Sequence, residues 1–121
     1  MPQIWTDTYF RMSHIAGPGC VLVSLRFGKT PAKGPLVTIR AAREGTIGPM
    51  KDIDRYVEEA IEGIAEANQI HGTTVELEEI EIVPDDCPTE GQVRHCAKIL
   101  TAHFTTQTKQ TDAGNRRSAS A

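Results

Sequence analysis

Residues 52–70 read DIDRYVEEAIEGIAEANQI. Ile53, Val57, Ala60, Ile61, Ile64 and Ala67 recur there at spacings of three and four. Such spacing lines them along one stripe of an α-helix, with glutamates over most of the other side. Asp52 stands at the N-cap position, and Asp52 and Asp54 put negative charge where the helix dipole favours it. His71-Gly72 ends the pattern, since Gly72 can take the left-handed conformation common just past a last helical turn. An apolar stripe has to be buried against something, and extended segments on both sides offer a sheet.

Toward the N-terminus, Ile4 to His14 alternates β-branched, aromatic and polar residues. This predicts one long, half-exposed strand, with Ile4, Thr6, Thr8, Phe10 and Met12 on one face and Trp5, Asp7, Tyr9 and Arg11 on the other. Ala16-Gly17-Pro18-Gly19 forces a turn. Cys20 to Phe27 predicts a second strand, with Val21, Val23, Leu25 and Phe27 facing one way and Ser24 and Arg26 the other. Gly28 to Pro35 is a Gly/Pro-rich loop carrying Lys29 and Lys33. Leu36 to Arg43 predicts a third strand, paired as a hairpin with the second, and Glu44 to Met50 is a breaker-rich connection.

Beyond the helix, Thr73 to Val83 predicts a fourth strand with a fault in it. Val75 and Leu77 share one parity and Ile80 and Ile82 the other, so a bulge or sharp twist is expected at Glu78-Glu79. Pro84 to Pro88 is a turn. Thr89-Glu-Gly-Gln92 matches the S/T-x-x-E/Q capping box and opens a second helix to about Phe104, with Val93, Cys96, Ala97, Leu100 and Phe104 as its buried stripe. From Thr105 no apolar period is left, and residues 105–121 are expected to form a disordered tail. The order β-β-β-α-β-α predicts an α+β two-layer sandwich over residues 1–104, a four-stranded sheet with two helices on one face.

Bulk properties narrow the class. The 121 residues are enough for one domain with a core and too few for two. A 39% hydrophobic and 24% charged composition is that of an ordered chain, and no apolar run approaches the ~20 residues of a membrane span. The first residues, MPQIWTDTYFRM, lack the regions of a signal peptide. The three cysteines are an odd number, so a reduced, cytoplasmic protein is expected. Charge is divided unevenly: residues 1–51 hold seven Lys/Arg against two Asp/Glu, and residues 52–104 hold three against thirteen. A chain so divided can present faces of opposite sign.

The segments GPGCVLVSLRF, LVTIRAAREGTIGPMKDIDRYVEEAIEGIAEA, TTVELEEIEIV and TEGQVRHCAKILTAHF, in that order, resemble the fourth domain of elongation factor G, of the ribosomal protein S5 domain 2-like fold. The resemblance spans roughly residues 4–104. It implies a stand-alone, translation-related domain that contacts RNA or the ribosome. Two loops differ from the family: His14 to Cys20 is shorter and uncharged, and the segment after the first helix is reduced to His71-Gly72.

Among residues with chemical potential, Arg26, Lys29, Lys33, Arg40, Arg43 and Lys51 come from the second and third strands and their connections. On a hairpin they form one basic patch able to contact phosphates, with His14 near the first loop. Cys20 and His14 flank the glycine turn, an alternative Cys/His site for a small-molecule enzyme. Trp5, Tyr9 and Leu22 on the open sheet face offer an alternative assembly surface for a second copy or a protein partner. Phe27-Gly-Lys-Thr30 lacks the earlier glycine and the following helix of a phosphate loop. Cys87, His95, Cys96 and His103 do not share one helix face as zinc ligands need to. The acids Glu76, Glu78, Glu79, Glu81, Asp85 and Asp86 lack calcium-loop spacing and read as solvated strand surface. No cofactor or metal is expected. A non-enzymatic binding domain is the favoured reading.

Overall fold

The computed structural model of the protein describes residues 3–6, 8–17, 19–39, 53–83 and 88–120. Seven elements follow in chain order: β1 (Gln3–Thr6), β2 (Phe10–Ala16), β3 (Gly19–Phe27), β4 (Leu36–Ile39), α1 (Ile53–His71), β5 (Leu77–Ile82) and α2 (Gln92–Ser120). They form an α+β two-layer sandwich. Its sheet has five strands in the order β1-β2-β3-β5-β4, one more than expected. The extra strand arises because the long first strand folds into a hairpin, with Thr6 opposite Phe10 and Ile4 opposite Met12. That pairing keeps even residues opposite even residues, so the two faces read from the sequence survive the fold-back.

The expected hairpin of β3 with β4 is not formed. β5 inserts between them, antiparallel to β3 and parallel to β4. Parallel neighbours need a long crossover, and α1 lies in the chain between β4 and β5 to provide it. The bulge falls where the apolar phase slips. Arg26 pairs with Glu79 and Phe27 with Leu77, which leaves Glu78 as the extra residue on β5. Leu77, Ile80 and Ile82 can therefore all be buried on the helix side.

The core lies between that sheet face and the helices. Met12, Val21, Val23 and Leu25 meet Ile80 and Ile82 from the sheet, Tyr56, Ala60 and Ile64 from α1, and Val93, Cys96, Ala97 and Leu100 from α2. The stripe on α1 is turned slightly from the expected one: Ile61 is 45% exposed, while Tyr56 and Gly63 are buried. Tyr56 explains part of the turn, because its hydroxyl donates to the Leu22 carbonyl at 3.2 Å. Gly63 explains the rest, since a side chain there would collide with α2. At the other end of the core Phe10, Phe27 and Phe104 stack edge to face or tilted, with centroids 4.8 to 5.5 Å apart.

Helix ends follow local chemistry. Gly72 takes φ 64°, and the Thr73 amide reaches back to the Asn68 carbonyl at 3.0 Å, a Schellman closure. The Asp52 cap lies outside the described residues. At the start of α2 the Thr89 amide donates to Gln92 Oε1 at 3.0 Å, the glutamine half of the capping box. The helix then continues to Ser120, through the stretch read as a disordered tail. Among the described residues no helix is long and apolar enough to cross a membrane.

Candidate functional site

The sheet face turned away from the core carries an ionic network. Backbone pairing sets Trp5, Arg11, Ser24, Glu81 and Thr38 in one row across all five strands. Arg11 Nη1 donates to Ser24 Oγ at 2.8 Å and to Glu81 Oε1 at 2.6 Å, and its guanidinium lies 4.8 Å from the Tyr9 ring centroid. In the next row Glu79 gathers three donors: the Tyr9 hydroxyl, Arg26 Nη2 at 3.1 Å and Thr38 Oγ1 at 3.1 Å. Arg26 Nε also stands 3.4 Å from Glu78. The side chains of Glu79 and Glu81 are each 12% exposed, so these two acids are paired and largely covered, not solvated strand surface.

The Tyr9 hydroxyl, with Thr38 and Arg26 adding to it, holds the Glu79 carboxyl below its ordinary range against the opposing effect of burial. The same contact, with burial, pushes the Tyr9 phenol up. A group whose folded pKa is depressed contributes stability that is complete above its unfolded value, here about 4.5, and is lost as pH falls through the folded value. Urea midpoints of wild type and Glu79→Gln should therefore differ most above pH 4.5 and converge in acid. A difference that does not change with pH would contradict this assignment.

Of the basic candidates, Arg26, Lys29 and Lys33 lie among the described residues, and β3 and β4 do not pair as the hairpin expected to gather them. Arg26 is spent on Glu78 and Glu79. Lys29 and Lys33 are exposed on the loop that passes from β3 across the start of β5 to β4. That loop is held by Gly28 N–H to the Glu76 carbonyl at 3.1 Å and by Thr30 Oγ1 to the Leu77 carbonyl at 2.9 Å, and turned by a Pro31–Gly34 bond of 2.9 Å. It leads into a strand, not a helix, so no phosphate loop forms at Phe27–Thr30. Arg40, Arg43 and Lys51 lie outside the described residues.

His14 sits at the far end of β3 from these lysines. Because Gln92 Oε1 accepts from Thr89, its Nε2 faces the Gly19 carbonyl at 3.3 Å and donates to His14 Nδ1 at 2.9 Å. The His95 ring centroid stands 5.3 Å from that of His14. Gly19 allows this approach; a Cβ there would come within 3.1 Å of Gln92 Cδ. His14 is thus built into the α2 cap. The Cys/His pairing does not form, because Cys20 is opposite Ile15 while His14 is opposite Val21, on the other face of the hairpin. Cys20 is exposed; Cys96 is buried, and burial pushes its thiol up to about 12. His95 lies by His14 and His103 by Phe10, at 6.1 Å between ring centroids, so they do not converge.

A mostly apolar cleft of about 280 Å³ opens between α1 and the start of β4 and β5, lined by Thr30, Pro35, Ile61, Ile64, Val75 and Leu77 among others. Sequence reasoning missed both this cleft and the Arg11–Glu81 pair, because each depends on which strands are neighbours. The arrangement is that of an α+β domain with a closed ionic face and one exposed lysine loop. Compared with protein-family models, with curated proteins and with solved structures, the chain matches none.

Proposed function

We propose that the protein is a non-enzymatic, translation-related domain that binds RNA, ribosomal RNA included, through the loop between β3 and β4. One observation carries this reading. All four arginines whose side chains are described (Arg11, Arg26, Arg55 and Arg94) are in ion pairs, whereas Lys29 and Lys33 are exposed and make none among the described residues. Unpaired, solvated ammonium groups on a tethered loop are free to displace counterions from phosphates. The resemblance of the sequence to the fourth domain of elongation factor G supports the same reading. At about 50 mM salt the wild-type chain should co-sediment with ribosomes or bind RNA, and Lys29→Glu with Lys33→Glu should abolish it. No RNA or ribosome association of the wild type at that salt would sink the reading.

A further inference from the structure

We infer that β4 is a self-association edge, pairing antiparallel with β4 of a second copy about a two-fold axis at Thr38. β4 closes one side of the sheet and pairs only with β5, so among the described residues its other backbone edge has no partner. Its four residues are all exposed, Leu36 by 51%, Val37 by 42% and Ile39 by 54%. Sheet edges are ordinarily guarded by charges, prolines or bulges, and Leu36–Ile39 contains none. α1 does not shield this edge: Ile61, at the rim of the cleft beside it, is 45% exposed.

The occupant is a second copy because the strand complements itself. Val37-Thr38-Ile39 reads apolar, hydroxyl, apolar in either direction. A two-fold at Thr38 sets Val37 of one copy against Ile39 of the other twice over, with the two threonines opposite each other. Valine and isoleucine stay on the helix-side face in both copies, since directly opposed residues share a face. Charge also suits this arrangement. Ile61, Ala65 and Asn68 line the cleft, and the same flank of α1 carries Asp54 and Glu58 toward its N-terminus, both exposed. The two-fold reverses the second copy, so that its Lys33 comes to the end of the sheet where Asp54 and Glu58 stand. A strand of four residues with one flanking helix buries less than the roughly 800 Å² per partner of a standard interface, so the dimer is a reversible one.

Sedimentation equilibrium of the 121-residue chain, without RNA, from about 1 to about 300 μM tests this. The expected result is a monomer–dimer equilibrium within that range. Ile39→Lys should weaken it at least about tenfold, while Ile15→Lys, at a more exposed apolar residue (78%) on the β2–β3 hairpin, should leave it unchanged. Circular dichroism spectra matching wild type confirm that both variants fold. A monomer throughout, as when the chain's own residues 40–52 cover the edge, would overturn the inference. So would a dimer indifferent to Ile39→Lys, or one weakened equally by Ile15→Lys.

Discussion

Gly63→Ala should destabilise the domain by about 2–3 kcal/mol, even though alanine is the better helix former by about 1 kcal/mol. Gly63 is a point of close approach between α1 and α2. A Cβ there would run into the Arg94 carbonyl oxygen, stand 2.9 Å from the Ala97 Cβ and 3.0 Å from the Lys98 nitrogen. Two of those three neighbours are backbone, which cannot rotate away. The helices must separate instead, and Ala60, Ile64, Ala97 and Leu100, all nearly fully buried, lose contact with them. Surface ion pairs from Arg94 to Glu62 at 3.8 Å and Glu66 at 3.6 Å would shift as well, but exposed pairs of that kind are worth well under ~1 kcal/mol each. Urea unfolding of Gly63→Ala measures the net effect; a midpoint at or above wild type would show that the helices are not in close contact at this point.

Arg11→Ala should cost about 3–5 kcal/mol, a large part of the stability of a chain this size. The cost lies less in the lost attraction than in what is left behind. Glu81 would stay largely covered without its 2.6 Å partner, and buried Ser24 would lose its 2.8 Å donor. The two effects separate in a double variant. Arg11→Met with Glu81→Leu removes both charges and keeps the volume, so it should recover most of the loss. If the double variant is as unstable as the single one, packing by the Arg11 stem, not charge, is what the site requires.

The helices were legible because their signals are local. The three- and four-residue spacing from Ile53 to Ala67, the Gly72 stop and the Thr89–Gln92 box all act within a few residues of themselves. The bulge at Glu78 was legible for a similar reason, since a parity slip between Leu77 and Ile80 has to be absorbed within β5. Strand order was not. Leu36–Ile39 is as apolar beside β5 as it would be beside β3, and no local feature distinguishes the two. With that order misjudged, the glutamates of β5 read as solvent-facing surface and Arg26 as free to meet a phosphate. The hairpin of β1 with β2 is not marked in the sequence, because no glycine or proline separates the two strands. Period alone reads Ile61 as core, because it does not show that Gly63, two residues on, is pressed against α2.

Reading Lys29 and Lys33 as the phosphate-contacting groups leads to one decisive measurement. RNA affinity is followed against salt for the wild-type chain and for Lys29→Gln with Lys33→Gln. Each single-strand phosphate neutralised contributes about 0.7 to the slope of log K on log salt, so removing two contacts should flatten the slope by about 1.4. Identical slopes for the two proteins, or no measurable binding by the wild type even at low salt, would contradict the account.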